Sequence, residues 1–222
     1  MQNSFAKFFF IVYNETMEKV ICLKSKFLNG LMNQNTYVLT NGKEAVIIDA
    51  GAEIDDVKNA VGKAKVVAIL MTHLHFDHFW NLEKYLNEFG CDVYIKVGFE
   101  NKFADSRLNA SYLVGLNEIK TISKNRIKYY AKKLVVGDFS FEIISTPGHS
   151  KDGVCILFDD FLFTGDTIFS DCIGRTDLPD SNNDEMIESL LKVKQTDFIT
   201  AYPGHNESAS KAQIDKTIDF YL

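Results

Sequence analysis

Three things are scarce in this 222-residue chain: paired cysteines, long apolar runs and an excess of positive charge. The four cysteines, Cys22, Cys91, Cys155 and Cys172, are widely spaced and form no Cys-x-x-Cys pair. That spacing speaks against a disulfide framework and a sulfur metal site, and they read as buried thiols of a reducing cytoplasm. Cys172 alone falls where it could form part of a pocket wall. The N-terminal run Phe8 to Tyr13, preceded by a single Lys7, is shorter than a signal-peptide core and far too short to span a bilayer, and no small-residue cleavage site follows it. No membrane partner and a cytoplasmic location are therefore expected. The formal net charge of -6 offers no basic surface for phosphate, so no nucleic-acid partner is expected either. Low-complexity linkers and short-period repeats are also missing. With 46% hydrophobic and 24% charged residues, the chain reads as one substantial globular domain or two half-domains sharing a core. We read residues 1–16 as an N-terminal extension and 17–222 as the working domain.

Strand-like patterns run over Lys19 to Phe27 and Thr36 to Thr40. Asn41-Gly42 signals a type I′ hairpin turn into Ala45 to Asp49. Ile54, Val57 and Val61 share one helical face within Glu53 to Ala64. Val66 to Met71 is continuously apolar, as in a strand buried on both faces. Leu82, Tyr85, Leu86 and Phe89 predict a helix closed by Gly90, and Asp92 to Lys96 a short strand. The stretch from Val97 to Lys133 is the least legible; it reads as an insertion, helical in pieces, that could wall a pocket. Strands resume at Leu134 to Val136, Phe139 to Ser145, Val154 to Phe158, Phe161 to Thr164 and Phe198 to Ala201, with helices near Asp184 to Val193 and Ser208 to Phe220. Two similar halves of this kind predict an α+β fold, two mixed sheets packed face to face with helices outside.

What the chain does have is a dense ligand cluster. Thr72-His73-Leu74-His75-Phe76-Asp77-His78 follows directly on the apolar run, and Pro147-Gly148-His149, Gly165-Asp166-Thr167 and Pro203-Gly204-His205 lie downstream. All five histidines sit in strand-exit loops, where a core histidine would more often fall on an apolar face. Imidazole and carboxylate donors suit borderline divalent ions: zinc foremost, with iron or manganese as alternatives. In an extended segment His73 and His75 point to the same side, so both can grip one ion. Asp77 and His78 come as the chain turns and can aim at a second. Six such donors besides a bridging carboxylate are too many for one tetrahedral ion and suit two adjacent ones.

These motifs, with Val46-Ile47-Ile48-Asp49-Ala50-Gly51 upstream, resemble the metallo-β-lactamase superfamily from about residue 17 to the C-terminus. The resemblance implies an αββα four-layer sandwich. It implies His73, His75 and His149 on one metal, Asp77, His78 and His205 on the other, and Asp166 bridging. Asp49 matches a carboxylate standing behind the ligands, and Thr72 and Thr167 read as loop supports. Within the superfamily the chain looks most like the glyoxalase II (hydroxyacylglutathione hydrolase) branch, because an aspartate holds the bridging position and Ile173 to Pro179 resembles small bacterial members. Arg175 falls at that branch's basic substrate contact.

The chain departs from that pattern at Trp80-Asn81, where glycines are usual, at Asn206 to Ala209, and at Asp177, where some enzymes carry a glutathione-binding tyrosine. It also ends without the C-terminal helical segment that helps larger glyoxalase II enzymes hold glutathione. The implied activity is hydrolysis of a small-molecule thioester of the S-acylglutathione type, with two divalent ions and with Asp77 as both ligand and catalytic carboxylate. An iron-dependent persulfide dioxygenase, a lactonase or phosphodiesterase on the same scaffold, and a metal-binding protein without turnover are the alternatives. Nothing in the sequence bears on oligomeric state.

Overall fold

The structure, a computed structural model, describes residues 9–13, 18–26, 33–116 and 122–222. Its strands form two sheets. The first runs in spatial order through β1 (Phe9–Tyr13), β2 (Glu18–Lys24), β3 (Asn35–Thr40), β4 (Glu44–Ile48), β5 (Lys65–Leu70), β6 (Asp92–Ile95) and β7 (Ile127–Tyr129). Here β1 to β4 are antiparallel neighbours, while β4 to β7 pair in parallel. The second sheet contains β8 (Lys133–Val136), β9 (Phe139–Ser145), β10 (Val154–Phe158), β11 (Phe161–Gly165), β12 (Thr200–Pro203) and β13 (Ala209–Ser210), in the order β13-β12-β11-β10-β9-β8. Only its β11–β12 pairing is parallel. Both sheets are mixed, as the α+β reading requires.

Apolar side chains alternate between two sides of each sheet, which sets the layering. Val38, Ile47 and Ile69 face α1 (Ile54–Val61) and α2 (Leu82–Phe89) on one outer side. Leu39, Val46, Ile48, Ala68 and Leu70 face inward and meet Phe139, Phe141, Ile156, Phe158, Phe163 and Tyr202 of the second sheet. On the far side, Cys155, Leu162 and Ala201 pack on α3 (Asn183–Gln195) and α4 (Lys211–Tyr221). The result is helix, sheet, sheet, helix. β5 lies between β4 and β6, which is why its sequence is apolar on both faces. No helix among the described residues is long and apolar enough to cross a membrane.

Several local readings shift. Residues 9–13, assigned above to an extension, form the outermost strand of the first sheet. The strand expected over Lys19 to Phe27 ends at Lys24, and Phe27 and Met17 lie outside the described residues. The Asn41-Gly42 hairpin forms, but not through a type I′ turn, because Asn41 is not at positive φ. Its side-chain Oδ1 instead accepts the N–H groups of Lys43 and Glu44, which closes a longer loop. Among its described residues, the Val97 to Lys133 stretch holds three isolated 3₁₀ turns (Glu100–Phe103, Ser111–Val114, Lys124–Arg126) and the unforeseen β7. Residues 117–121 of it lie outside the described residues. The last helix begins at Lys211, where Ser210 and Gln213 form a capping box.

Candidate metal centre

Strands β4, β5, β9, β11 and β12 all end on one rim, and every sequence-singled donor lies just past one of those ends. Asp49 follows β4, the His73–His78 loop follows β5, His149 follows β9, Asp166 follows β11 and His205 follows β12. The donors gather into two groups with a carboxylate between them. In the first, His75 Nδ1 lies 3.1 Å from His73 Nε2 and 2.9 Å from His149 Nε2. In the second, Asp77 Oδ2 lies 3.2 Å from His205 Nε2 and 3.9 Å from His78 Nε2. Asp166 reaches both. Its Oδ2 is 3.5 Å from His149 Nε2 and 3.5 Å from His205 Nε2, and its Oδ1 is 3.3 Å from His78 Nε2. The groups His73/His75/His149 and Asp77/His78/His205 each bring their donor atoms within 4.8 Å of one another.

In His73, His78 and His149 the nitrogen pointing away from the cluster is held by the fold, and this fixes which nitrogen points in. Asp49 Oδ1 accepts the Thr72 N–H at 2.8 Å, and its Oδ2 accepts both the Thr72 hydroxyl and His78 Nδ1, each at 2.8 Å. Thr72 Oγ1 is thereby left to accept from His73 Nδ1, 3.2 Å away. His149 Nδ1 donates to the Arg175 carbonyl at 2.9 Å. Asp49 holds its backbone at φ 59°, a left-handed conformation uncommon outside glycine, to reach these partners. Two glycines let the loops close up. A Cβ on Gly204 would run into Asp166 Oδ1 and His78 Cε1, and one on Gly165, at φ 50°, into the Thr72 side chain.

The donor set fits divalent metal. Among the described residues, His78 Nε2 and Asp166 Oδ1 are buried without a hydrogen-bond partner, although they are only 3.3 Å apart. Buried polar atoms are seldom left unsatisfied, and atoms that converge on a common point rather than on each other suit an ion there. The charges agree. Burial alone would raise Asp166, but His205, His78 and His149 outweigh it and hold the carboxyl well below its ordinary value. Asp77 is also held low, with His78 and His205 opposing its burial. Burial, reinforced by neighbouring imidazoles, pushes His73 well down and His149 to about 4, so both offer neutral donor nitrogens.

The segment 29–205 matches the family model of the metallo-beta-lactamase superfamily. The chain belongs to that superfamily. A "probable metallo-hydrolase" of Streptococcus pyogenes is 31% identical over 198 residues, covering 83% of this chain and 84% of the relative. A "probable polyketide biosynthesis zinc-dependent hydrolase" of Bacillus subtilis is 26% identical, over 74% of this chain and 68% of the relative. Among solved structures, a B3 metallo-beta-lactamase, BLEG-1, superposes with TM-score 0.80 at 27% identity, covering 91% of this chain and 99% of its own. The metallo-beta-lactamase sandwich is thus the frame on which these loops are hung.

Not every singled residue reaches the cluster. Arg175 touches it through its main chain; its guanidinium turns outward to Asp177, with contacts of 2.6 and 2.8 Å. Thr167 Oγ1 pairs with Thr146 Oγ1 at 3.0 Å, a loop brace. Cys172 is half-buried, and its carbonyl accepts the Phe169 N–H. Asn81, one of the departures, is buried and donates to the carbonyls of Gly51 and Ala52, tying the start of α2 to the Asp49 loop. The sequence reading missed Asp152, Asp180 and Lys102, all buried beside His75. Lys102 sits in the illegible insertion, and an isolated lysine there carries no burial signal.

Proposed function

We propose that this chain is a binuclear metal-dependent hydrolase that cleaves small-molecule thioesters of the S-acylglutathione type in the cytoplasm, acting on neither nucleic acid nor membrane. The observation that carries this reading is Asp166, placed within 3.5 Å of His149 on one side and of His78 and His205 on the other. In this reading His73, His75 and His149 would hold one ion, Asp77, His78 and His205 would hold the other, and Asp166 would serve both. Zinc suits these nitrogen and oxygen donors, as do iron and manganese. Divalent ions bound there supply a water acidified toward neutrality and a positive charge against the substrate's carbonyl oxygen.

The side chains do the rest. Asp77 is held low as a carboxylate, and it is the buried oxygen acceptor that would orient the attacking water. Asp49 and Thr72 keep the imidazoles of His73 and His78 turned inward, so the donors are in place before substrate arrives. A thiolate leaves without prior protonation, so the site needs no separate general acid. The likeness of Ile173 to Pro179 to small bacterial glyoxalase II enzymes supports the thioester assignment, and the hydrolase naming of the relatives supports metal-dependent hydrolysis. At the rim the Arg175–Asp177 pair is solvent-exposed and therefore weak, so an acidic thiol carrier can displace Asp177 from the guanidinium.

The test is a panel of S-acyl thioesters offered to protein loaded in turn with zinc, iron(II) and manganese. Turnover with at least one ion, absent from Asp166→Ala, is expected. Full metal loading without turnover on any thioester would refute the proposal, and oxygen consumption with glutathione persulfide would assign the scaffold to dioxygenase chemistry instead.

A further inference from the structure

Lys102 lies in the 3₁₀ turn Glu100–Phe103, and its ammonium is 1% exposed. It donates to Asp152 Oδ1 at 2.7 Å, to Asp180 Oδ2 at 2.8 Å and to Ser150 Oγ. Lysine is almost never buried this fully without paired charges. The unused oxygen of each carboxylate faces the first histidine group. Asp152 Oδ2 accepts the N–H of Leu74, the residue between His73 and His75, at 2.7 Å. Asp180 Oδ1 has no hydrogen-bond partner and lies 3.9 Å from His75 Nε2, which has none either.

Of His73, His75, His78 and His149, three have the nitrogen that points away from the cluster held at 2.8–3.2 Å, by Thr72, Asp49 and the Arg175 carbonyl. His75 is the fourth. Its inward nitrogen is Nδ1, the reverse of the others, so its ring is set by whatever stands behind Nε2. Among the described residues, the one carboxylate within 4.0 Å of Nε2 is that of Asp180, and Lys102 is the cation that pairs with both Asp180 and Asp152.

We propose that Lys102 is a positioning residue: through Asp180 it fixes the His75 ring with its proton on Nε2 and Nδ1 turned to the first ion, and through Asp152 it holds the Leu74 amide so that His73 and His75 face one point. This rests on the metal reading of the site. The segment that carries Lys102 is tied to the same loop a second time, where the Asn109 carbonyl accepts the Phe76 N–H at 2.9 Å. The 97–116 wall and the first ion are therefore mechanically coupled.

Two measurements test this. In metal-free wild-type protein with ¹⁵N-labelled histidine, long-range proton–nitrogen correlation is expected to show His75 protonated on Nε2; a proton on Nδ1 overturns the proposal. In Asp180→Asn and Lys102→Met, zinc binding is followed by chelator competition, with anomalous scattering assigning each position. Affinity at the His73/His75/His149 position should fall about 10- to 100-fold, the usual effect of removing a ligand's hydrogen-bond partner, with the second position unchanged. Wild-type affinity at both positions, or an equal loss at both, overturns it; an equal loss is what general loosening would give. If either variant does not fold, the wild-type tautomer decides alone. Because that tautomer is read without metal, its failure is distinguishable from failure of the chain to bind metal, which would count against the proposed function.

Discussion

Asp166 is the residue that joins the two donor groups, because its carboxylate faces His149 of the first and His78 and His205 of the second. Replacing it with alanine leaves the imidazoles of His78, His149 and His205 without the carboxylate that faces them, and in the proposed reading would remove a ligand shared by both ions. Metal content by elemental analysis is expected to fall from two ions per chain to one or fewer, with thioester turnover lowered by at least about 100-fold. Titration of the imidazoles gives a second expectation, for the metal-free protein. His149 is pushed down to about 4 by burial and by His75. The unfolded chain therefore binds the extra proton first as pH falls, and stability drops below the ordinary imidazole value of 6.5. His78 and His205 work in the other direction. Burial opposes their charge, but Asp49, Asp166 and Asp77 hold His78, and Asp166 and Asp77 hold His205, above the ordinary value. Their contribution is full below 6.5 and is lost as pH rises through the folded values. Urea midpoints of metal-free protein, taken from about pH 4 to about pH 9, should peak near neutrality. A midpoint that climbs steadily across the range would contradict this assignment of charge.

At the scale of elements, the site is built from strand ends, and what was legible follows from that. His73, His75, His78, His149 and His205 were readable because each stands in a loop directly after an apolar strand with glycine, proline, aspartate or threonine beside it. The helix α2 was readable because Gly90 takes the left-handed conformation that ends it, at φ 64°. The 97–133 segment was not. Its turns are too short for periodicity to register, and its buried anchor is a lysine, a residue that sequence patterns place at the surface. The turn at Asn41-Gly42 misled for a related reason: a side-chain acceptor two residues from the N–H it captures competes with the backbone turn. Loop closure at this scale predicts that Gly204→Ala, whose new methyl meets Asp166 and His78, lowers zinc affinity by about tenfold or more with little change in the far-UV circular dichroism. Lys102→Met belongs here too. It leaves two carboxylates in the 97–116 contact without their cation, and a loss of about 3–5 kcal/mol in chemical denaturation is expected.

Seen as a whole molecule, the two halves meet twice: once through the inner faces of the sheets, and once at the rim. The first sheet supplies His73, His75, Asp77 and His78, and the second supplies His149, Asp166 and His205. The two-half layout was legible because each half alternates apolar strands with polar exits. The parallel edge strand β7 and the two-residue β13 were not, being too short to carry a period. In the proposed reading, ions at the rim would bind only the folded chain and so would stabilise it by mass action. At free metal about a thousand times Kd this is about 4 kcal/mol per site. Chelation of both ions is therefore expected to lower Tm by roughly 15–30 °C in a chain of this size. The two-ion site is tested most directly by thioester turnover measured against equivalents of metal added to metal-free protein. Turnover is expected to rise to a plateau at two ions per chain; a plateau at one ion, or no turnover at saturation, would contradict a binuclear hydrolase.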